Sequence, residues 1–485
     1  MSIKSVIPRI LKVNVPEVAT KLLKFRKAND KKIMTLSSNW LPLFGFHGDA
    51  RVVEEMIAPG KGYQIRLATD ADEKTKKVYV REYKSRSANP LKKDAKRVEQ
   101  LVETAGQKII NEAMGDAEYV HITFRFGVLT FTPVTSVERK LVQDLSVDDK
   151  INTLVAMTGG VDAAVLEQGG FRVDTIVEYR PQEKRDKTEY TELTALSSLI
   201  NSKPRVLCNE DIYTLNVRRL ADTIGNTPIT VLHASLQCDD YSPLKTNKQK
   251  ADSVVDLSST LDMFIPTLNL LDELSIPVLM IENVPGFMSS PINDVLVLQL
   301  RRRGYHVHQQ VFDAREFGGN TSRKRLYLVA STLDAPFAFP TPEQSNVDVW
   351  RDIIEPNLDE IMTHDLTDNK VMKDAIRMER ARIIHKDKPF SPTLTKAQGQ
   401  STKDSVVVLH EGRYYKLPMS LQMKLNELPE SFDLDWAPLD KAEQIIGQSI
   451  SCALHHRIAQ SVREHILGFA KSLSNTFTGQ ASFAF

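Results

Sequence analysis

Cysteine is scarce in this chain. Its 485 residues hold three, Cys208, Cys238 and Cys452, with no CxxC pair and no Cys/His cluster at metal spacing. Neither a disulfide framework nor a metal site is therefore expected, and the sparse thiols point to a reducing, cytoplasmic setting. Long hydrophobic runs are missing too. The apolar stretch 276–281 (IPVLMI) falls far short of the roughly 20 residues that span a bilayer and reads as a buried strand. The first 21 residues lack both a continuous apolar run and a small-residue cleavage site, so neither a leader nor a membrane partner is expected. Nor does one charge dominate: 63 basic against 62 acidic side chains leave a formal charge of +1. Taken whole, that balance gives no hint of a polyanionic partner.

What is present is the composition of a globular protein, 41% apolar and 26% charged, enough for a large core. The mean charge hides an asymmetry. Residues 1–134 carry 24 Lys+Arg and 15 Asp+Glu, a surplus of +9, so the remainder carries −8. Such a division suggests different electrostatic tasks, with a basic α+β N-terminal domain helping to hold an anionic polymer. Within it, 91–114 has apolar residues at helical spacing, and 119–134 alternates like a strand pair turning at Gly127. The segment 33–68 resembles the strands of small swapped-hairpin DNA-binding barrels. Residues 135–150 are polar and read as a helical linker.

From residue 151 the pattern becomes strand–turn–helix. Short aliphatic cores in INTLVAMTGG, FRVDTIVEYR, PRVLCNEDI, PITVLHASLQC, IPVLMIENV and RRGYHVHQQVFD alternate with helical patterns. This implies an α/β domain with a mostly parallel sheet, whose ligands lie beyond the carboxyl ends of the strands. Those ends carry Gly159 and Gly160, then Glu178, Asp211, Cys238, Glu282, and finally Arg323 with Arg325. Glycine lets backbone approach a ligand closely, and a carboxylate after the second strand can accept both ribose hydroxyls. Asp211 could accept from an exocyclic amine.

In that order the residues resemble the DNA cytosine-5 methyltransferase family from about residue 153 to 462. Ile281-Glu282-Asn283-Val284-Pro285-Gly286 matches the family's ENV motif. The segment 312–331 looks like its NAxDYGVPQxRxRxxxVG element, with Arg323 and Arg325 on the two arginines and Thr321 replacing Gln. Residues 234–242 (ASLQCDDYS) stand where GGPPCQxFS belongs, with Gln237 in place of proline before Cys238. Residues 243–261 resemble the basic active-site loop. Further on, 388–432 is similar to the PxxTIT and RxLTPxExxRLQGFP segments, and 444–462 to the closing QxGNSV motif, with Gln448 replacing Asn. The poorest match is FxGxGG, which falls on Ala156-Met157-Thr158-Gly159-Gly160-Val161.

The resemblance implies a Rossmann-like class I methyltransferase sheet over 151–331, a small target-recognition region over 332–416, returning motifs over 417–470 and a tail over 471–485. It implies S-adenosylmethionine as cofactor, with Gly159, Gly160, Glu178, Tyr179, Asp211, Ile212 and Gln448 around it. Cys238 becomes the nucleophile and Glu282 the proton donor to N3. Arg325 donates to the cytosine O2, and Arg323 holds a phosphate or braces the loop. Cys208 and Cys452 are read as packing residues. Lys245, Lys248 and Lys250 could clasp DNA phosphates, and Lys396 with Gln398 sits in a segment resembling a groove-entering recognition loop. The implied partner is double-stranded DNA, with a cognate restriction endonuclease beside it in a bacterial, archaeal or phage-encoded system. Rival readings are a catalytically weak DNA-binding regulator, an RNA cytosine-5 methyltransferase and an enzyme transferring another group.

Overall fold

The computed structural model describes all residues except 1–14, 29–30, 39, 88–95, 105, 116, 135–149, 183–185, 187, 242–244, 344–345, 397, 399–403 and 482–485. Side chains at 26–28, 83–87, 96–98 and 475–481 are likewise not described. The chain divides into two compact units, Met1–Arg139 and Lys140–Phe485. The segment read as a linker, 135–150, lies outside the described residues apart from Lys150. Among the described residues no helix is long and apolar enough to cross a membrane.

The first unit is built from antiparallel strands. A six-stranded sheet runs in the order Ala19–Lys24, Tyr119–Arg125, Val128–Val134, Gly62–Leu67, Arg51–Ala58, Lys76–Lys77. A four-stranded sheet runs Arg26–Ala28, Lys31–Ser37, Lys96–Thr104, Tyr79–Ser87. Alternation along the strand pair 119–134 buries Val120, Ile122, Phe124, Leu129 and Phe131, as a half-buried sheet requires. Phe131 stacks on Tyr63 at a centroid distance of 4.6 Å. The helical reading of 91–114 needs correction. Residues 91–95 and 105 lie outside the described residues; among the rest, Lys96–Thr104 is a strand and Gln107–Met114 a helix. Valine and threonine suit a pleated surface, and pairing with both Lys31–Ser37 and Tyr79–Ser87 outweighs a weak helical period.

The second unit is centred on a seven-stranded sheet. Its strands are β1 (Ile151–Ala156), β2 (Phe171–Val177), β3 (Val206–Cys208), β4 (Val231–Ser235), β5 (Val278–Asn283), β6 (His306–Asp313) and β7 (Lys324–Ser331). Their order is β3-β2-β1-β4-β5-β7-β6. Strands β1 to β5 are mutually parallel, and β7 runs antiparallel to both β5 and β6. Every residue of β1 and β5 is buried, which is why these runs show no polar alternation. Helices Val217–Ile224, Phe264–Leu274 and Pro291–Arg302 cover one face. Helices Val161–Gln168 and Cys452–Ala481 cover the other. The chain reverses direction across the sheet between β1 and β4, so a crevice opens at the carboxyl ends there.

Beyond β7, a three-stranded sheet of Arg382–Ile384, Val406–His410 and Arg413–Lys416 packs with helices Met419–Leu425 and Leu439–Gln448 in a separate apolar cluster. Gly447 sits where that cluster meets the chain at Thr395. A Cβ there would lie 2.0 Å from the Thr395 carbonyl oxygen, so only glycine permits the approach.

Candidate active site

The register of the sheet assembles the reactive end. Ser235 on β4 pairs with Glu282 on β5, and Glu282 pairs with Tyr327 on β7. Cys238 follows β4 by three residues, and Arg325 stands two before Tyr327. The Arg325 Nε lies 2.8 Å from Glu282 Oε1, with both side chains largely buried. Asn283 ties the two loops together: its Nδ2 donates to the Leu236 carbonyl at 3.0 Å, and its Oδ1 accepts from the Val284 N–H at 2.8 Å. The loop that carries Cys238 is thus clamped to the loop that follows Glu282. Sequence reading passed over Asn283 as a partner, although it lies inside the quoted motif.

Burial decides the protonation states here. It pushes the Glu282 carboxyl up, against the pull of Arg325, and buried Asp162 adds to the rise. Burial also raises the half-buried Cys238 thiol, although the Arg325 charge lowers it. Burial thus favours the neutral form of both groups, the Cys238 thiol and the Glu282 carboxyl.

At the other side of the crevice, Glu178 directly follows β2 and is almost fully buried. Its Oε1 accepts from the Thr158 N–H at 2.6 Å, the Gly159 N–H at 2.9 Å and the Thr158 hydroxyl at 3.1 Å. Burial still lifts the group from 4.5 to about 7. Gly160 has φ +96°, and a Cβ there would lie 2.9 Å from the Ser198 backbone nitrogen, so glycine alone fits. Met157, at a variable position of the FxGxGG match, adopts φ +63°, a left-handed conformation that costs a side-chain-bearing residue on the order of 1 kcal/mol. Tyr179 is half-buried and Ile212 buried. Asp211 Oδ1 accepts from the Tyr213 N–H at 3.0 Å.

The description C-5 cytosine-specific DNA methylase matches residues 200–464, more than half of the chain. The chain belongs to this family. It is 28% identical over 153 residues to the type II methyltransferase M.MspI of Moraxella sp., covering 31% of this chain and 34% of that protein. It is 24% identical over 338 residues to M.Bsp6I of Bacillus sp. (strain RFL6), covering 66% of this chain and 99% of that protein. The chain thus matches about a third of the length of M.MspI and nearly all of M.Bsp6I. Among solved structures, the Entamoeba histolytica methyltransferase EhMeth is similar at 15% identity and TM-score 0.49, over 66% of this chain and 98% of that one. The family implies S-adenosylmethionine as the methyl donor. The acidic acceptors Glu178 and Asp211, the half-buried ring of Tyr179 and the open backbone at Gly159, whose nearest outside atom is 4.0 Å from a Cβ position, fit the hydroxyls, amine and ring of that cofactor.

In this methylase several residues expected to face DNA are engaged elsewhere. Arg323 is buried. Its Nη1 donates to the Leu394 carbonyl at 3.2 Å and its Nη2 to the carbonyls of Gln448, at 3.3 Å, and Ser449. It braces the strand against the returning motifs, and a phosphate-holding role is not supported. Burial pulls its guanidinium down to about 9. Gln398 is also buried: its Nε2 donates to the Val406 carbonyl at 2.7 Å and its Oε1 accepts the Val406 N–H at 2.8 Å. Both ends of its amide are taken, so it does not present a base-reading edge. Lys245 is paired with buried Asp240 and donates to Ser253 Oγ at 2.9 Å, which removes it from phosphate clasping. Lys396 Nζ lies 3.3 Å from Asp239 Oδ2, joining its segment to the loop that carries Cys238. Lys248 is exposed and Lys250 half-buried. Gln448 is exposed, and it is its carbonyl that serves Arg323.

Two predictions follow from these contacts. Replacing Arg323 with Met leaves buried carbonyls without donors, at about 1–3 kcal/mol each; urea unfolding should show a loss of about 3 kcal/mol, and Arg323→Lys should not restore it. Glu178 bears on stability with a definite sign. Its folded value is raised from 4.5 to about 7, so its contribution is complete below about 4.5 and is lost as pH rises through about 7. Melting temperature followed across that window should fall more steeply for the native chain than for Glu178→Gln.

Proposed function

We propose that this chain methylates C5 of a cytosine in duplex DNA, with Cys238, Glu282 and Arg325 as the reacting group. The observation that supports this most is the convergence of a thiol, a burial-raised carboxyl and a guanidinium at adjacent strand ends, with Arg325 2.8 Å from Glu282. Cytosine C5 is a poor nucleophile. Once the Cys238 thiol has given its proton to solvent, attack of the thiolate on C6 forms an S–C6 bond and shifts the C5–C6 π electrons toward C5. Glu282 delivers its proton to N3 as that charge develops, and Arg325, with Nε on Glu282, has a donor left for O2. S-adenosylmethionine, when bound, supplies the electrophilic methyl carbon. Glu178 and Asp211 would accept from its ribose and amine, and Tyr179 would lie against its ring. Removal of the C5 proton then lets the C5–H electrons re-form the C5–C6 π bond while the S–C6 pair leaves with sulfur as the thiolate, and the N3 proton returns to Glu282. Because C5 is shielded inside a duplex, the nucleotide must leave the stack to reach Cys238.

The direct test supplies tritiated cofactor with duplexes of mixed sequence and with tRNA, and identifies the labelled base by mass spectrometry. Label in 5-methylcytosine from DNA is the expected result. Label in RNA alone, or none, would overturn the reading.

The basic first unit is proposed to carry much of the nonspecific DNA affinity. Removing residues 1–134, a surplus of +9, should weaken binding and flatten the dependence of log K on log salt. Unchanged affinity and slope by fluorescence anisotropy would contradict it.

A further inference from the structure

Beneath the strand ends lies a side-chain cluster that the proposed reaction does not use. Asp162 comes from the first turn of the helix after β1, His233 from β4 and His455 from the long C-terminal helix. None is more than 1% exposed. One carboxylate oxygen and two imidazole nitrogens from these residues lie within 4.8 Å of one another. His233 Nε2 is 2.6 Å from Asp162 Oδ1. The two imidazole centroids stand 4.8 Å apart.

Each member has an outer partner that aims it inward. His233 Nδ1 lies 3.2 Å from the Met280 carbonyl, an acceptor only, so that nitrogen donates its hydrogen. Neutral His233 would then turn an Nε2 lone pair toward a carboxylate oxygen, an unfavourable contact unless a positive centre lies between them. His455 Nδ1 is 3.1 Å from the Tyr327 hydroxyl, while its Nε2, also buried, has no partner. Asp162 Oδ1 accepts from Ser235 Oγ at 3.0 Å. A proton on His233 Nε2 would settle the first contact and leave His455 Nε2 orphaned. One divalent cation would satisfy both.

We propose that Asp162, His233 and His455 bind a single divalent transition-metal ion, zinc by its donor set, as a structural staple. Two imidazoles and a carboxylate favour such an ion over magnesium or calcium. The partners on Met280, Tyr327 and Ser235 are the hydrogen bonds that orient metal ligands. Around a tetrahedral ion at about 2.0–2.1 Å the ligand atoms stand roughly 3.3 Å apart, so Asp162 and His233 open by less than 1 Å and His455 closes in. Ser235 Oγ or a water completes the shell. The ion ties the first helix of the sheet, a central strand and the C-terminal helix, segments far apart in sequence, which is why no metal spacing is visible there.

The test uses the full chain purified without a metal-affinity step. Elemental analysis should find about one equivalent of zinc, or a saturable visible ligand-field band on adding cobalt to chelator-treated protein. Chelation should lower the melting temperature by more than about 5 °C, and zinc should restore it. His455→Leu and Asp162→Asn should lose the cobalt band. Should those variants fail to fold, the native chain still decides. Less than about 0.1 equivalent of metal, no cobalt band and no response to chelation would leave a hydrogen-bonded polar network only and overturn the proposal. Metal retained equally by folded His455→Leu would overturn it as well.

Discussion

Cys238→Ser is expected to abolish methyl transfer, by at least about 10³-fold, while DNA affinity stays within about threefold. The size of the effect follows from chemistry. Without addition at C6 the pyrimidine keeps its aromatic electrons, and C5 has no enamine character with which to take the methyl. The serine hydroxyl, far less acidic than the thiol whose value is already raised by burial, cannot replace it. Binding is spared because Cys238 is half-buried on a loop held by Asn283 and Leu236, and serine fills nearly the same volume. Single-turnover transfer and anisotropy titration read the two quantities separately. Retained transfer would mean that the nucleophile has been misassigned.

Glu282→Gln is expected to lower transfer by about 10²–10⁴-fold with little change in DNA affinity, the range for loss of a positioned general acid. Glutamine keeps a carbonyl oxygen in place of Oε1, 2.8 Å from Arg325 in the native chain, but it has no proton to deliver to N3. The pH profile should change as well. Burial raises the Glu282 carboxyl, so the native rate declines as pH climbs past that raised value and the proton is lost. The variant's residual rate should lack that alkaline limb. A variant that keeps the limb would assign it to another group.

The strand ends were legible because a parallel sheet buried on both faces writes its strands as continuous apolar runs. Residues within three positions of each run's carboxyl end then stand at that edge of the sheet, as Glu178, Asp211, Cys238 and Glu282 do. Two residues apart along a strand, Arg323 and Arg325 share one face, but that spacing says nothing of what packs there. Only the folded chain shows Arg323 spent on the carbonyls of 394, 448 and 449. Gln398 misled for the same reason: a polar side chain in a loop reads as available until the Val406 backbone, eight residues on, takes both ends of it. Lys245 is quieted by Asp240, a neighbour five positions away that the sequence displays without showing its burial. Residues 96–104 are short enough for periods of 2 and 3.6 to compete, and pairing with two strands decided for the sheet. The Asp162–His233–His455 cluster was invisible, since its members come from separate elements and meet only when the C-terminal helix closes over β4.

The central claim, that Cys238 bonds to C6 of a cytosine removed from the duplex, is tested most directly with 5-fluorocytosine in DNA. Fluorine at C5 cannot leave as a proton does, so elimination is blocked and the S–C6 bond persists after methyl transfer. The account predicts a denaturation-stable protein–DNA complex that forms only with S-adenosylmethionine present and maps to the peptide containing Cys238. No complex under conditions in which cytosine duplex is methylated, or attachment at Cys208 or Cys452, would contradict it.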